Sequence, residues 1–349
     1  MIIFPDGYFE DEVRDGFKVT SIMKACWAAS MEVLNEIRII CERHDIEYFA
    51  AFGTLLGAIR HDGFIPWDDD LDISMKRDDY LRFLAVAQDE LPEGYVVQSL
   101  QTDEEYVGSF AKVINSTVMD FDPKRIGKFH GFPFIVGVDI FPMDYVPRNV
   151  KLFDEQMYVL DVIRDYDVLD QLLEKKENAR VMGHEQKTYY RKMRKKCEEV
   201  IKDSLGYEFN DEKTKQRQMF ELFDRQASKY IDKKDERIIL LMQNKKDNTR
   251  VWDAELFEPV MHKFECIEIP VPKGFDEILT TIYGDYMTPV QMSAGHNYPY
   301  FKGQIQLYID YLEGKERLAV LKKKYKGVPL EEVPEADRRL LEAAKKNRR

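Results

Sequence analysis

FGTLLGAIRHDGFIPWDDDLDISM, residues 52–75, sets four aspartates (Asp68, Asp69, Asp70 and Asp72) in five positions at the head of an apolar run. In a strand, side chains at i and i+2 leave on the same face. Asp70 and Asp72 alternate with Leu71 and Ile73, so the pattern predicts two carboxylates aimed into one small volume beside a buried face. Like charges that close stay ionised at low cost only when a cation sits between them. Hard oxygen ligands favour Mg²⁺ or Mn²⁺. The stretch is expected to hold a divalent metal against a phosphate.

Two further pieces extend this constellation. Upstream, Tyr48 to Phe52 reads as a short strand and Leu55 to Arg60 as a short helix, with Gly53 and Thr54 at the turn between them. Glycine admits a phosphate close to the backbone, and a threonine hydroxyl and a helix N-terminus donate to it. Downstream, Asp139 lies within GVDIFP, a carboxylate inside an otherwise apolar strand. Such an acid is costly unless paired or bound to metal. The remaining pattern predicts a helix over 19–45, a helix over Arg77–Glu90, and strands at Val96–Gln98, Phe110–Ile114, Thr117–Phe121 and Val136–Phe141. From 151 to about 246 no proline occurs and apolar residues such as Met157, Leu160, Ile163, Leu169 and Leu172 recur at helical spacing, which predicts an all-helical insertion. Strand character returns over Lys263–Ile269, and Phe275–Tyr283 reads as a helix.

The 349 residues, 44% of them hydrophobic, are ample for a large core. Four divisions are expected: a catalytic core over 1–150, the helical insertion over 151–250, a return to the core over 251–314, and a basic helical tail over 315–349. A net charge of −12 argues against nucleic acid as a partner. The tail, however, has 12 Lys/Arg against 6 Asp/Glu. It reads either as a solvated terminal helix or as a peripheral contact with the anionic inner face of a membrane. Cys26, Cys41, Cys197 and Cys266 form no C-x-x-C pair, which fits reduced thiols. With no signal-like N-terminus and no apolar run of spanning length, the expectation is a cytoplasmic protein.

A Gly-Ser/Thr turn, an acid pair in an apolar strand and a third acid on another strand is the arrangement of the nucleotidyltransferase superfamily. More narrowly, GTLLGAIRHDGFIPWDDDLDISMKRDDY, GVDIFPMDYVP and YGDYM resemble the LicD family of phosphocholine transferases, relatives of fukutin and fukutin-related protein. The resemblance implies a mixed α/β nucleotidyltransferase-like sheet flanked by helices. It also implies transfer of phosphocholine or a similar phospho-alcohol from a CDP-linked donor to a hydroxyl of a cell-surface polysaccharide, teichoic acid or glycolipid, with release of CMP. On this reading Asp70, Asp72 and Asp139 ligate one or two Mg²⁺ ions, which in two-metal sites stand about 3.5–4 Å apart, and Asp139 is the favoured general base. Gly53, Thr54, Arg60, His61, Asp68, Asp69 and Lys112 form a second tier of substrate contacts. Each has a plainer alternative: Arg60 pairing with an aspartate, His61 capping a turn, Lys112 as an edge-strand surface charge. Trp67 is expected to pack rather than to meet a choline methyl group. Beyond YGDYM the chain departs from its relatives, reading TPVQMSAGH over 288–296.

Three other readings compete. An EF-hand fails because positions 6 and 12 of the loop starting at Asp68 are Ile73 and Asp79, where glycine and glutamate are needed. A metal-dependent glycosyltransferase needs a nucleotide-binding region well before its acid motif, and here that space is mostly one helix. A nucleotidyltransferase proper fits the same acids and differs in its products.

Overall fold

The computed structural model describes residues 1–174, 182–233, 237–240, 250–291, 298–326, 329, 333, 338 and 341. The chain divides into two compact units, 1–292 and 293–349.

The first unit opens with a hairpin of β1 (Glu12–Arg14) and β2 (Phe17–Val19). Asp15 and Gly16 turn it, both at positive φ, the Asp-Gly chemistry that suits a two-residue hairpin loop. Helix α1 (Ser21–His44) follows and ends where Asp45 takes a left-handed conformation. Then come β3 (Phe49–Ala50), α2 (Phe52–His61), β4 (Asp72–Lys76) and α3 (Arg77–Glu90). Next are β5 (Val96–Gln98), β6 (Ala111–Ile114), the short α4 (Pro123–Lys128) and the long β7 (Gly137–Val146).

These strands form a mixed sheet in the order β3-β4-β7-β6-β5. β4 and β7 run parallel, and the other pairs in that series are antiparallel. Ile73, Met75, Val138, Ile140, Ala111 and Val113, on one face, are wholly buried, with α1 and α3 packed on β7 and α3 also on β4. Strand alternation then puts Asp72, Asp139 and Lys112 together on the other face.

The insertion consists of α5 (Val150–Glu174), α6 (His184–Leu205) and α7 (Lys215–Ala227). Val159, Ile163, Tyr166, Cys197, Ile201, Met219 and Leu222 join the three helices. Val146, Phe153, Met157, Leu160, Ala227 and Ile239 bind them to the sheet. The expected all-helical segment is corrected at its end: β8 (Arg237–Ile239) pairs with the far half of β7 and with β9 (Val251–Asp253). Residues 241–249, within or just beyond that segment, lie outside the described residues. So do 292–297, in the stretch that departs from its relatives, and most of 327–349.

Thr117–Phe121 is not a strand. The chain there turns, and Asp122 caps α4 by accepting from the Lys124 and Arg125 amides. Lys263–Ile269 is two strands rather than one, β10 (Pro259–Phe264) and β11 (Ile267–Pro272), turning at Glu265. Helix α8 (Phe275–Tyr283) closes the unit. In the second unit, α9 (Lys302–Lys324) carries Leu321, which clusters with Val333 and Leu341. No helix among the described residues is long and apolar enough to cross a membrane.

Candidate active site

Register builds the site. Asp72 on β4 stands opposite Asp139 on the parallel strand β7, and Asp139 stands opposite Lys112 on β6. The Lys112 ammonium is 2.9 Å from the Asp139 carboxylate. Because β6 lies between β7 and β5, Lys112 is on an interior strand and the edge-strand reading does not hold.

The acids preceding β4 close over this row. Asp68, Asp69 and Asp70 offer carboxylate oxygens that all lie within 4.8 Å of one another. Burial, then Asp70, Asp139 and Asp68 in turn, raise the Asp72 pKa well above the usual carboxylate range. Asp68 is raised likewise, by burial first and then by Asp70. The tightest carboxylate grouping therefore includes Asp68 and Asp69, which the sequence placed in its second tier, and Asp70 links that grouping to Asp72 and Asp139. An all-oxygen set in which buried carboxyls repel one another suits a hard divalent cation, whose charge would relieve both penalties.

The chain spends several interactions on fixing these acids. The Thr54 hydroxyl accepts from the Asp72 amide at 2.8 Å, so Thr54 anchors the start of β4. The Asp139 amide donates to the Leu71 carbonyl at 3.0 Å, which continues the β4–β7 ladder one residue outward. Trp27 Nε1 donates to the Asp68 carbonyl at 2.9 Å. Glu265 holds the loop between α2 and the acids: its carboxylate accepts from Phe64 N at 3.2 Å and from Arg14 at 2.5 and 3.0 Å. Trp67 meets Phe17 edge-on at 6.2 Å, a packing contact.

Gly53 lies in the first turn of α2, after Phe52 at φ +44°, a left-handed conformation that aromatic residues rarely adopt. A Cβ on Gly53 would come within 2.4 Å of Asp68 Oδ2. Gly53→Ala is expected to displace that carboxylate and cut activity by roughly 10–100-fold, the scale of a supporting contact to a metal site. Stability should hold or rise, since alanine is favoured over glycine in a helix by about 0.5–1 kcal/mol. Parallel turnover and melting measurements check this; full activity would mean that Asp68 need not sit where it does.

Arg60 donates to the Tyr286 carbonyl at 2.8 Å and makes no ion pair with an aspartate among the described residues. His61 meets Asp15 across the hairpin turn at 2.9 Å, and burial followed by Arg60 lowers its pKa. The Arg60 contact gives the YGDYM motif a location at the site, and its first residue is one that sequence reasoning missed. The Tyr283 hydroxyl is pushed up to about 12 by burial, then by Asp72 and Asp68, with Arg250 and Arg60 opposing. It stays protonated beside the acids, a neutral donor on a residue that keeps 39% exposure.

An acid-bearing strand, a third acid in register on its parallel neighbour and a glycine-opened helix leading into them define a nucleotidyltransferase-type domain. Residues 45–152 match the family described as LicD/FKTN/FKRP, nucleotidyltransferase domain. The lipopolysaccharide cholinephosphotransferase LicD of Haemophilus influenzae is 29% identical over 261 residues, covering 74% of this chain and 88% of that protein. An uncharacterized protein of Rickettsia typhi is 34% identical over 67 residues, 19% of this chain and 22% of its own length. Residues 45–152 carry a nucleotidyltransferase domain of the LicD/FKTN/FKRP type.

Proposed function

We propose that this chain is a phosphotransferase that moves phosphocholine, or a similar phospho-alcohol, from a CDP-linked donor to a hydroxyl of a cell-surface glycan or glycolipid. The observation that carries this reading is the row Asp72–Asp139–Lys112 across three adjacent strands, with Asp68 and Asp70 at its mouth. The Haemophilus relative, a lipopolysaccharide cholinephosphotransferase, supports phosphocholine as the transferred group and a cell-surface glycolipid as the acceptor.

In the reaction the acceptor oxygen forms a bond to the distal phosphorus of the diphosphate. The bond from that phosphorus to the bridging oxygen breaks, CMP leaves with the electron pair, and the acceptor proton passes to a carboxylate. Asp68, Asp70, Asp72 and Asp139 are the oxygen set that would hold Mg²⁺ or Mn²⁺, which when bound neutralises the charge of the diphosphate and of the departing CMP. Lys112 pairs with Asp139 at 2.9 Å and so fixes that carboxylate in place, which makes Asp139 the candidate to take the acceptor proton. Tyr283 donates its hydroxyl hydrogen toward the phosphoryl oxygens. Such a site works by positioning and charge compensation rather than by covalent chemistry of its own.

Incubation of the purified chain with CDP-choline, Mg²⁺ and a cell-envelope glycan is expected to release CMP in step with glycan modification. Chelation should abolish release, and added Mg²⁺ or Mn²⁺ should restore it. A screen of CDP-linked donors then identifies the alcohol. Pyrophosphate release from a nucleoside triphosphate, without turnover of any CDP-linked donor, would overturn the proposal in favour of nucleotidyl transfer.

A further inference from the structure

Residues 99–110 join the antiparallel neighbours β5 and β6, and none of them belongs to a helix or strand. Hairpin loops usually take about 2–5 residues. A connection this long must find partners for its carbonyls outside itself. Three of those carbonyls converge on one side chain. Arg217, 6% exposed in the first turn of α7, donates through Nη1 to the Asp103 and Tyr106 carbonyls, both at 2.7 Å. Its Nη2 donates to the Leu100 carbonyl.

The guanidinium is itself held. The Thr214 hydroxyl caps α7 by accepting from the Arg217 amide at 3.1 Å. Glu221, one turn along the helix, accepts from Arg217 Nε at 2.8 Å. A second tie runs from Gln101 Nε2 to Asp224 of the same helix at 3.0 Å. The loop is therefore shaped by the insertion, not by its own sequence alone.

Its far end runs into the acid row. Tyr106 folds back on Gly108, where a Cβ would come within 2.7 Å of the phenol oxygen, and donates to the Phe110 carbonyl at 2.8 Å. The Phe110 ring stacks on Phe141 with centres 4.7 Å apart. Phe141 follows Asp139 by two residues on β7 and so shares its face. Two residues past Phe110 comes Lys112, whose ammonium pairs with Asp139. Burial, and after it the charge of Asp139, pushes the Tyr106 phenol up to about 12. The phenol thus stays a donor within electrostatic reach of that acid.

We propose that Arg217 is a positioning residue for the transfer site: its grip on the loop sets Tyr106 and Phe110, and through them Lys112 against Asp139. This rests on the phosphotransfer reading of the Asp72–Asp139–Lys112 row. The planar fork of an arginine suits three carbonyls, which the single ammonium of a lysine does not match. Arg217→Met strands no carboxylate, because Glu221 keeps Lys213 at 2.7 Å. The loss then falls on the three carbonyls and on the loop they belong to.

Hydrogen exchange and kinetics on the full chain test this together. In Arg217→Met, the Asp103, Glu105 and Tyr106 amides should exchange at least about tenfold faster, while those of β4 and β7 keep their parent rates. CMP release from CDP-choline should fall about 10–100-fold, the scale of a reacting group displaced by an ångström or less. Donor KM should stay within about threefold of the parent value. Arg217→Lys, which also serves if the methionine variant does not fold, should recover the melting temperature and leave turnover low. Tyr106→Phe should lose turnover too, and combined with Arg217→Met it should be no slower than Arg217→Met alone, because the arginine acts through the tyrosine. Unchanged loop exchange would overturn the inference, as would losses that multiply in the double variant. Turnover that tracks melting temperature across the two Arg217 variants would reduce the arginine to a structural part and overturn it as well. If the parent turns over only a nucleoside triphosphate, the phosphotransfer reading falls, and the same variants read on pyrophosphate release still decide the role of Arg217.

Discussion

Asp72→Asn is expected to lower turnover by at least about 10³-fold, the scale on which loss of one preorganised electrostatic partner is felt in a water-poor site. Asparagine keeps the shape and the backbone amide that Thr54 holds. It removes one charge from a position that burial and three neighbouring acids make expensive to ionise. The metal-free protein should therefore melt at the same temperature as the parent or higher, because a repulsive buried carboxylate has gone. The second expected result is the opposite response to ligand. Mg²⁺ should raise the melting temperature of the parent by mass action, by about 2.7 kcal/mol in stability at a hundredfold excess over Kd, and raise that of Asp72→Asn far less. Turnover assays and melting curves with and without Mg²⁺ separate these effects. A variant that keeps full activity, or gains the same stabilisation from Mg²⁺, would remove Asp72 from the site.

The acids themselves are legible from sequence because strand periodicity is local: Leu71 and Ile73 announce a buried face, and Asp72 must then take the other. Helices α1, α3 and α8 are equally plain from their apolar spacing. What a chain position does not encode alone is register. The pairing of Lys112 with Asp139 depends on how β6 slides against β7, so the lysine reads from sequence as an isolated cation. Tyr283 lies some 210 residues beyond Asp72 in the chain, and its only sequence signal was the YGDYM motif. Asp68 precedes the strand, where alternation says nothing, so the sequence alone does not bring it to the row of Asp72 and Asp139. Its place is set by Gly53, whose missing side chain leaves room for it. The strand expected at Thr117–Phe121 fails for a related reason: β propensity reports fit to a pleated neighbour, and the Asp122-Pro123 helix start carries that segment into α4 instead. Arg237–Ile239 shows the reverse, three residues in a charged helical neighbourhood that become a strand because the far half of β7 offers an open edge.

Arg77→Met is expected to be the most damaging single change to stability. Arg77, 2% exposed at the start of α3, forks onto both Asp144 oxygens of β7 at 2.7 and 3.0 Å and reaches Asp224 of α7 at 2.6 Å. One guanidinium thus ties the central sheet to the helical insertion. Burial opposes its charge, but Asp144 and Asp224 outweigh burial and hold it protonated. Methionine fills similar space but strands Asp144, which is 1% exposed, and an uncompensated buried charge costs about 3–5 kcal/mol. Asp224, nearer to solvent and already accepting from Gln101 at 3.0 Å, contributes less to that cost. The loss should depend on pH with a definite sign. Even in the parent, burial raises the Asp144 pKa against the pull of Arg77, and removing the arginine raises it further. A carboxyl raised in the folded state contributes stability that is present below its unfolded pKa and lost as pH climbs through the folded one. The deficit of Arg77→Met relative to the parent should therefore be larger at pH 7 than at pH 5. Adding Asp144→Leu removes the stranded charge and should return part of the loss, which a cavity or a simple packing defect would not do. Urea unfolding at both pH values, on the single and double variants, decides the point. A pH-independent deficit, or a double variant less stable than Arg77→Met, would show that the three-way ion cluster does not clamp the sheet to the insertion.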